Sequence, residues 1–326
     1  MALPRLPRLP DLLDRKIYKS GQTRGADDDQ IFQNRVGRNS TVLIPHASWE
    51  ACRPETQGVE YENGHIVLVP PSWYFEQDDP DAALAAQGLQ LGVNALVFYE
   101  RRSDWLLNPP DQQGWTVPTS RLDPLGGEYV ARVAGTTAAD GGGRVNVGFT
   151  TTAMKGAGIR VYEYAPLGVL QETRLQLEAL LWLCRDAILV VAESGMSPGD
   201  AQRRAAAILD RAAAAGLLDR ERLRQARMIN AAGHTVCPLC LEELSPLGFV
   251  SRVVQAEGRE VHDLAITEVS LFHIEELRVG RLNHRAYNLG WGHHHCNAVA
   301  RDHGIDPTIA WMRGVLARNA ELEGGA

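Results

Sequence analysis

Cysteine is scarce in this chain, five residues in 326, and the number is odd. That argues against a disulfide-framed secreted fold. Long uncharged apolar runs are also missing. The most apolar stretch, residues 175–192, carries Glu178, Arg185 and Asp186, which suits a buried helix better than a membrane span. No signal peptide is visible, because prolines break the opening Met-Ala-Leu-Pro-Arg-Leu-Pro-Arg-Leu-Pro. Gly141 to Gly143 lacks the Lys-Ser/Thr that completes a P-loop, so it reads as a turn. No internal repeat appears. A basic excess is lacking too: the net charge is -7 and the pI is near 5.8. A nucleic-acid-binding protein of this charge must gather its lysines and arginines on one face. These absences lead us to expect a soluble, cytoplasmic protein with no membrane partner.

What is present suffices for two or three domains, with 44% hydrophobic and 22% charged residues. The expected class is α+β. Residues 1–39 form an arm with a basic bias from Arg5, Arg8, Arg15, Lys16, Lys19, Arg24, Arg35 and Arg38, offset by Asp11, Asp14 and Asp27 to Asp29. It reads either as a solvated arm packed across a domain or as a phosphate-contacting segment. Residues 40–166 read as a mixed α/β domain, the expected DNA-recognition part. Its strand-like runs are Thr41–Ile44, His65–Val69, Val93–Tyr99, Val145–Phe149 and Ile159–Tyr164, with a helix over 80–91. Residues 167–232 turn helical: one helix over Leu170–Glu193, a second opened by Ser197 as N-cap with Pro198 in its first turn, and a third over Asp219–Ala232. Arg203, Arg204 and Arg211 are expected on the polar side of the second helix, and Arg220, Arg222, Arg224 and Arg227 belong to the third. Such arginines form a solvated face or track a DNA backbone.

Residues 233–326 carry the chemistry. Cys237-Pro-Leu-Cys240 has the gap that lets two thiolates share a tetrahedral metal. A redox pair is the competitor, but it should open a helix after a strand, and here a helical region and a turn come first. His293 and Cys296 repeat the two-residue gap, so Cys237, Cys240, His293 and Cys296 make a Cys3His set for one structural zinc, with His294 and His295 as rival ligands. Cys52 and Cys184 read as buried thiols. His273, in Ser270-Leu-Phe-His-Ile-Glu, reads as a strand histidine, the kind that is commonly structural. Its downstream context is less ordinary: Gly280, Asn283, Asn288-Leu289, His293, Cys296 and Asn297 come in that order.

This ordered set resembles the HNH, or His-Me finger (ββα-metal), nucleases over about residues 234–304. The resemblance implies a zinc-bound ββα-metal module. In it His273 is the general base, Asn288 ties the loop that holds the base strand, and Asn297 binds a catalytic Mg²⁺ or another divalent ion. Arg278, Arg281, Arg285 and Arg301 flank the set and could hold phosphates. One position departs from the pattern. The family usually places Asp or His just before the base, as a second metal ligand, and here that residue is Phe272.

The stretch from Lys16 to Asp27, continuing from Asn34 to Pro45, and the segment from Phe272 to Asn297 are also similar to Type II restriction endonucleases of the BstXI kind. That likeness implies a homodimer cutting double-stranded DNA at a short two-fold-symmetric site, with a cognate methyltransferase in the same system. Gln22, Arg24, Gln33, Asn34, Arg35 and Arg38 are then candidates for base reading. The alternatives are another nuclease with the same finger (homing, modification-dependent or toxin) and a zinc-stabilised DNA-binding module whose nuclease site has decayed.

Overall fold

A computed structural model describes residues 6–18, 41–53, 61–117, 126–133, 145–147, 159–251, 267–301 and 303–323. The chain divides into two compact units, one of residues 39–166 and one of residues 1–38 with 167–326.

The first unit is built on a six-stranded sheet. Its strands are β1 (Val42–Pro45), β2 (His65–Val69), β3 (Ala95–Tyr99), β4 (Tyr129–Val133), β5 (Val145–Val147) and β6 (Ile159–Arg160), in the order β5-β4-β3-β2-β1-β6. Every pairing is parallel except β4 with β5. The near-continuous apolar runs of β1 to β3 suit a parallel sheet, whose strands are covered on both faces. Ile66, Leu96 and Val130 form a buried cluster, with Leu43, Leu68 and Phe98 packed against it. Short helices make the crossovers, among them one over Pro71–Phe75 and one over Pro80–Ala86 that Asp79 caps at its N-terminus. β4 has no counterpart among the strand-like runs of the sequence, and the expected helix over 80–91 ends at Ala86.

The second unit begins with α1 (Asp11–Tyr18), which lies in the segment read as an arm. It turns Leu13, Lys16 and Ile17 inward. The Lys16 ammonium is thus a buried anchor: it donates to the carbonyls of Phe249 and Val269 and to the Thr267 hydroxyl. Burial pulls its pKa down to about 7.

The helix expected over Leu170–Glu193 is two helices, α2 (Leu167–Trp182) and α3 (Ala187–Glu193), because Asp186 takes a left-handed φ of 60° between them. α2 is buried on most of its surface, as a helix in the middle of a unit must be. α4 (Pro198–Ala214) packs against it, opened by Ser197 and Pro198 as expected. Arg204 leaves the polar side of α4 that the sequence suggested. It reaches inward to Glu178 on α2, with an Nη2–Oε2 distance of 2.9 Å. Tyr18 and Trp182 donate to the same carboxylate.

α5 (Arg220–Gln225) follows, capped by Asp219, and stops before the expected Ala232. Then come the hairpin β7 (Val269–His273) and β8 (Leu289–His293), α6 (His294–Ala300) and the C-terminal α7 (Ile305–Glu323). Among the described residues no helix is long and apolar enough to cross a membrane.

Candidate functional site

The hairpin is antiparallel in the register Val269–His293 to His273–Leu289. It rests on α2 at two points. The Trp291 indole N–H donates to the Leu177 carbonyl at 2.8 Å, and the Tyr287 N–H donates to the Gln176 side chain at 2.7 Å. β8 runs directly into α6, with His293 at the N-cap. That junction brings His293 and Cys296 to a third element, the tight turn after Val236. In this turn the Cys237 N–H donates to the Glu242 carbonyl at 2.9 Å and the Leu241 N–H to the Cys237 carbonyl at 2.8 Å. Leu241 closes it with a left-handed φ of 64°.

The ligand atoms of Cys237, Cys240, His293 and Cys296 all lie within 4.8 Å of one another. Zinc bonds of about 2.0–2.3 Å place tetrahedral ligand atoms about 3.3–3.8 Å apart, so these residues fit such an ion with little adjustment. The His293 Nδ1–Cys240 Sγ separation is already 3.3 Å. Burial, then the neighbouring sulfurs, push the Cys296 thiol up, and burial does most to raise Cys240. Burial and His295 hold His293 below its usual range, which keeps the ring neutral and able to bind metal. His294 and His295 are not in the cluster. His295 is exposed and stacks on His293 at 5.3 Å.

At the other end of the hairpin, His273 is the last residue of β7 and is buried. Beside it lies His284, wholly buried, with ring centroids 5.7 Å apart. The loop that brings His284 there is tied by Asn288. Its Oδ1 accepts from the Glu275 N–H at 2.6 Å and its Nδ2 donates to the Asn283 carbonyl at 2.7 Å. Asn283 in turn donates to the Glu276 carbonyl. No local pattern signals that His284 joins His273; the contact depends on how this loop folds back.

Asn297 sits on α6, and its Nδ2 lies 3.4 Å from the Ser270 Oγ on β7. Ser270 and His273 are three strand positions apart, about 10 Å along β7. For a hard divalent ion the described residues thus offer the Asn297 amide beside the Ser270 hydroxyl. Phe272 is fully buried, and a Cβ on Gly292 would come within 2.5 Å of its ring. Arg278, Arg281 and Arg285 lie on the loop between β7 and β8, with Arg278 held by Glu276, and exposed Arg301 follows α6. Arg24, Arg35 and Arg38, with Gln22, Gln33 and Asn34, lie outside the described residues. Cys52 and Cys184 are buried and are not in the cluster.

A family model described as BstXI restriction endonuclease matches residues 15–294, most of the chain. The chain belongs to the BstXI restriction endonuclease family. Membership supports a Type II restriction endonuclease, an endodeoxyribonuclease that binds DNA. The matched span includes the second half of α1, the sheet of the first unit and the hairpin, and ends two residues before Cys296. No curated protein and no solved structure matches the chain.

Proposed function

We propose that this restriction endonuclease cuts with an HNH, or His-Me finger, module at residues 233–326. The observation that carries the reading is one continuous unit: a hairpin with His273 at the end of its first strand, a loop tied by Asn288, and a helix opened by His293 and carrying Asn297. In this reading Cys237, Cys240, His293 and Cys296 hold a structural zinc that fixes the start of the helix against the turn after Val236. The His273 imidazole takes the proton from the attacking water, and Asn288 holds the strand that presents it. General-base help of this kind is worth roughly 10²–10⁴-fold. A divalent ion such as Mg²⁺, when bound, would stabilise charge on the phosphate and on the leaving oxygen. Asn297 is its protein ligand. Because Phe272 is a core residue, the remaining ligands would be the Ser270 hydroxyl, phosphate oxygens and water.

Arg278, Arg281, Arg285 and Arg301 contact DNA phosphates in this reading. The enzyme acts as a homodimer, one active site per strand, beside a cognate methyltransferase. Phe272 favours a second reading, a DNA-binding module without activity.

Plasmid incubation with Mg²⁺ separates the two. The wild type yields discrete fragments, and His273→Ala lowers cleavage by about 10²-fold or more while DNA binding is retained. No cleavage by the wild type on methylated and unmethylated DNA favours the inactive module. Sedimentation of the wild type tests the dimer.

A further inference from the structure

A cleft of about 480 Å³ opens one residue beyond His273. Ile274 and Asn288 line it, as does the loop between β7 and β8 with Arg278, Arg281 and Arg285. It is also lined by α5 and its exit, with Arg222, Gln225 and Arg227, residues that stand outside the nuclease motif altogether. The start of α7, from Gly304 to Pro307, completes the lining. There Gly304 bridges to Glu275 with a φ of +81°, and a Cβ on it would come within 2.8 Å of the Glu276 backbone nitrogen.

The charge of this cleft runs against that of the chain. Five guanidinium groups (222, 227, 278, 281, 285) meet three carboxylates (Glu275, Glu276, Asp306), a local excess of two positive charges in a protein of net charge -7. The arginines are also unequally engaged. Arg278 is neutralised by Glu276. The Arg227 Nε donates to the Pro238 carbonyl at 2.6 Å, which fixes it on the turn that carries Cys237 and Cys240. Arg222 lies over the Tyr287 ring at 3.8 Å from the centroid. That ring is itself fixed, since the Tyr287 hydroxyl donates to the Gly216 carbonyl at 2.6 Å. A guanidinium stacked this way has lost much of its side-chain freedom before any ligand arrives. Among the described residues Arg281 and Arg285 make no ion pair. Fixed and available arginines lining one cleft suit bidentate binding of phosphate oxygens.

We infer that this cleft grips the DNA backbone at one or two phosphates next to the one that is cut, with α5 and the nuclease loop both contributing arginines. The inference rests on the nuclease reading for the identity of the ligand. It gives the helical segment a part in binding: Arg222 and Arg227 hold the strand whose neighbouring phosphate lies at His273.

The test is binding of the full chain to a fluorescently labelled DNA duplex, with Ca²⁺ in place of Mg²⁺ to prevent cutting and no chelator, followed by fluorescence anisotropy across a range of KCl concentrations. Each phosphate contact contributes about 0.9 to the slope of log K against log salt. Arg222→Gln and Arg281→Gln are each expected to reduce that slope by about 0.9, while Arg222→Lys keeps it. Arg281→Gln removes no packing partner, and melting curves show whether each variant is folded.

Unchanged slopes in folded Arg222→Gln and Arg281→Gln overturn the inference. So does an equal fall in Arg211→Gln on α4, outside the cleft, which would mean that only total charge matters. A melting shift by free nucleotide monophosphate with an unchanged DNA slope would assign the cleft to a small ligand instead. The two readings fail separately. A wild type that cuts plasmid while the slopes stay unchanged leaves the nuclease and removes the cleft. One that never cuts while the slopes fall does the reverse.

Discussion

Cys237→Ser tests the metal cluster most directly. Cys237 is fully buried, and its Sγ lies 3.4 Å from the His293 N–H, so the change alters the inside of the cluster. A structural zinc contributes about 10–16 kcal/mol in small modules, and an even division over four ligands gives roughly 2.5–4 kcal/mol for one thiolate. Zinc affinity is then expected to fall roughly 10²–10³-fold. The consequence reaches the proposed active site through α6, which spans only His294–Ala300. A helix this short does not persist without tertiary support. What remains to hold its start is chiefly the His294 N–H bond to the Glu268 carbonyl at 2.7 Å. We therefore expect α6 to lose order, and Asn297 to lose its place beside Ser270. Metal analysis after dialysis against a chelator should give about one zinc per wild-type chain and none in the variant. Hydrogen exchange should show faster exchange at His294 and Arg301, with the sheet of the first unit unaffected. Equal zinc affinity in variant and wild type, or a zinc-free wild type that still protects α6, rules out a zinc at these four residues that holds α6.

The buried charges of the second unit give two further outcomes. Glu178→Gln leaves the Arg204 guanidinium, 10% exposed, without its carboxylate. It should cost about 3–5 kcal/mol in urea unfolding, whereas the double change Glu178→Leu with Arg204→Met should cost far less; equal losses contradict a buried ion pair. Lys16 gives a pH dependence. Its pKa is about 7 when folded and 10.5 as a free side chain, so between these values the unfolded chain binds the extra proton. The contribution of Lys16 to stability is therefore greatest above pH 10.5 and declines as pH falls toward 7, by up to about 1.4 kcal/mol per pH unit. Urea melts of wild type and Lys16→Met between pH 7 and 10 should show a stability difference that grows with pH, and a flat difference rejects it.

Local pattern is legible where it sets structure locally. The β-branched runs of β1, β2 and β3, and the Ser197-Pro198 start of α4, depend on residues within a few positions of each other. The two Cys/His gaps also lead to the cluster, although its halves are more than fifty residues apart, because metal-ligand spacing is a local rule applied twice. Partners set by packing are not legible. Arg204 looks like a surface residue until Glu178, 26 positions earlier, is buried against it. Lys16 looks like part of a basic arm, yet its acceptors lie more than 230 positions away. β4 escapes a pattern search because Tyr-Val-Ala-Arg-Val is short and interrupted by an arginine, and its burial depends on pairing with β3.

Phe272 shows how packing and chemistry compete for one strand position. Side chains alternate along β7, so Ser270 and Phe272 share a face, and Ser270 places that face toward Asn297 on α6. A carboxylate or imidazole at 272 could have joined Asn297 as a ligand. The chain instead puts a fully buried ring there and clears space for it on β8: Gly292 stands where any side chain would collide with Phe272, and Gly290 opposes Phe272 directly in the register. The substitution is thus matched on the neighbouring strand and is part of a packed core. A core of this kind holds the hairpin rigid between the Cys3His cluster at one end and His273 at the other. Asn297 and Ser270, at the edge of that face, are only partly buried. In the proposed nuclease reading, a divalent ion there would take its missing oxygens from DNA, and cleavage would be tied to binding without a separate switch.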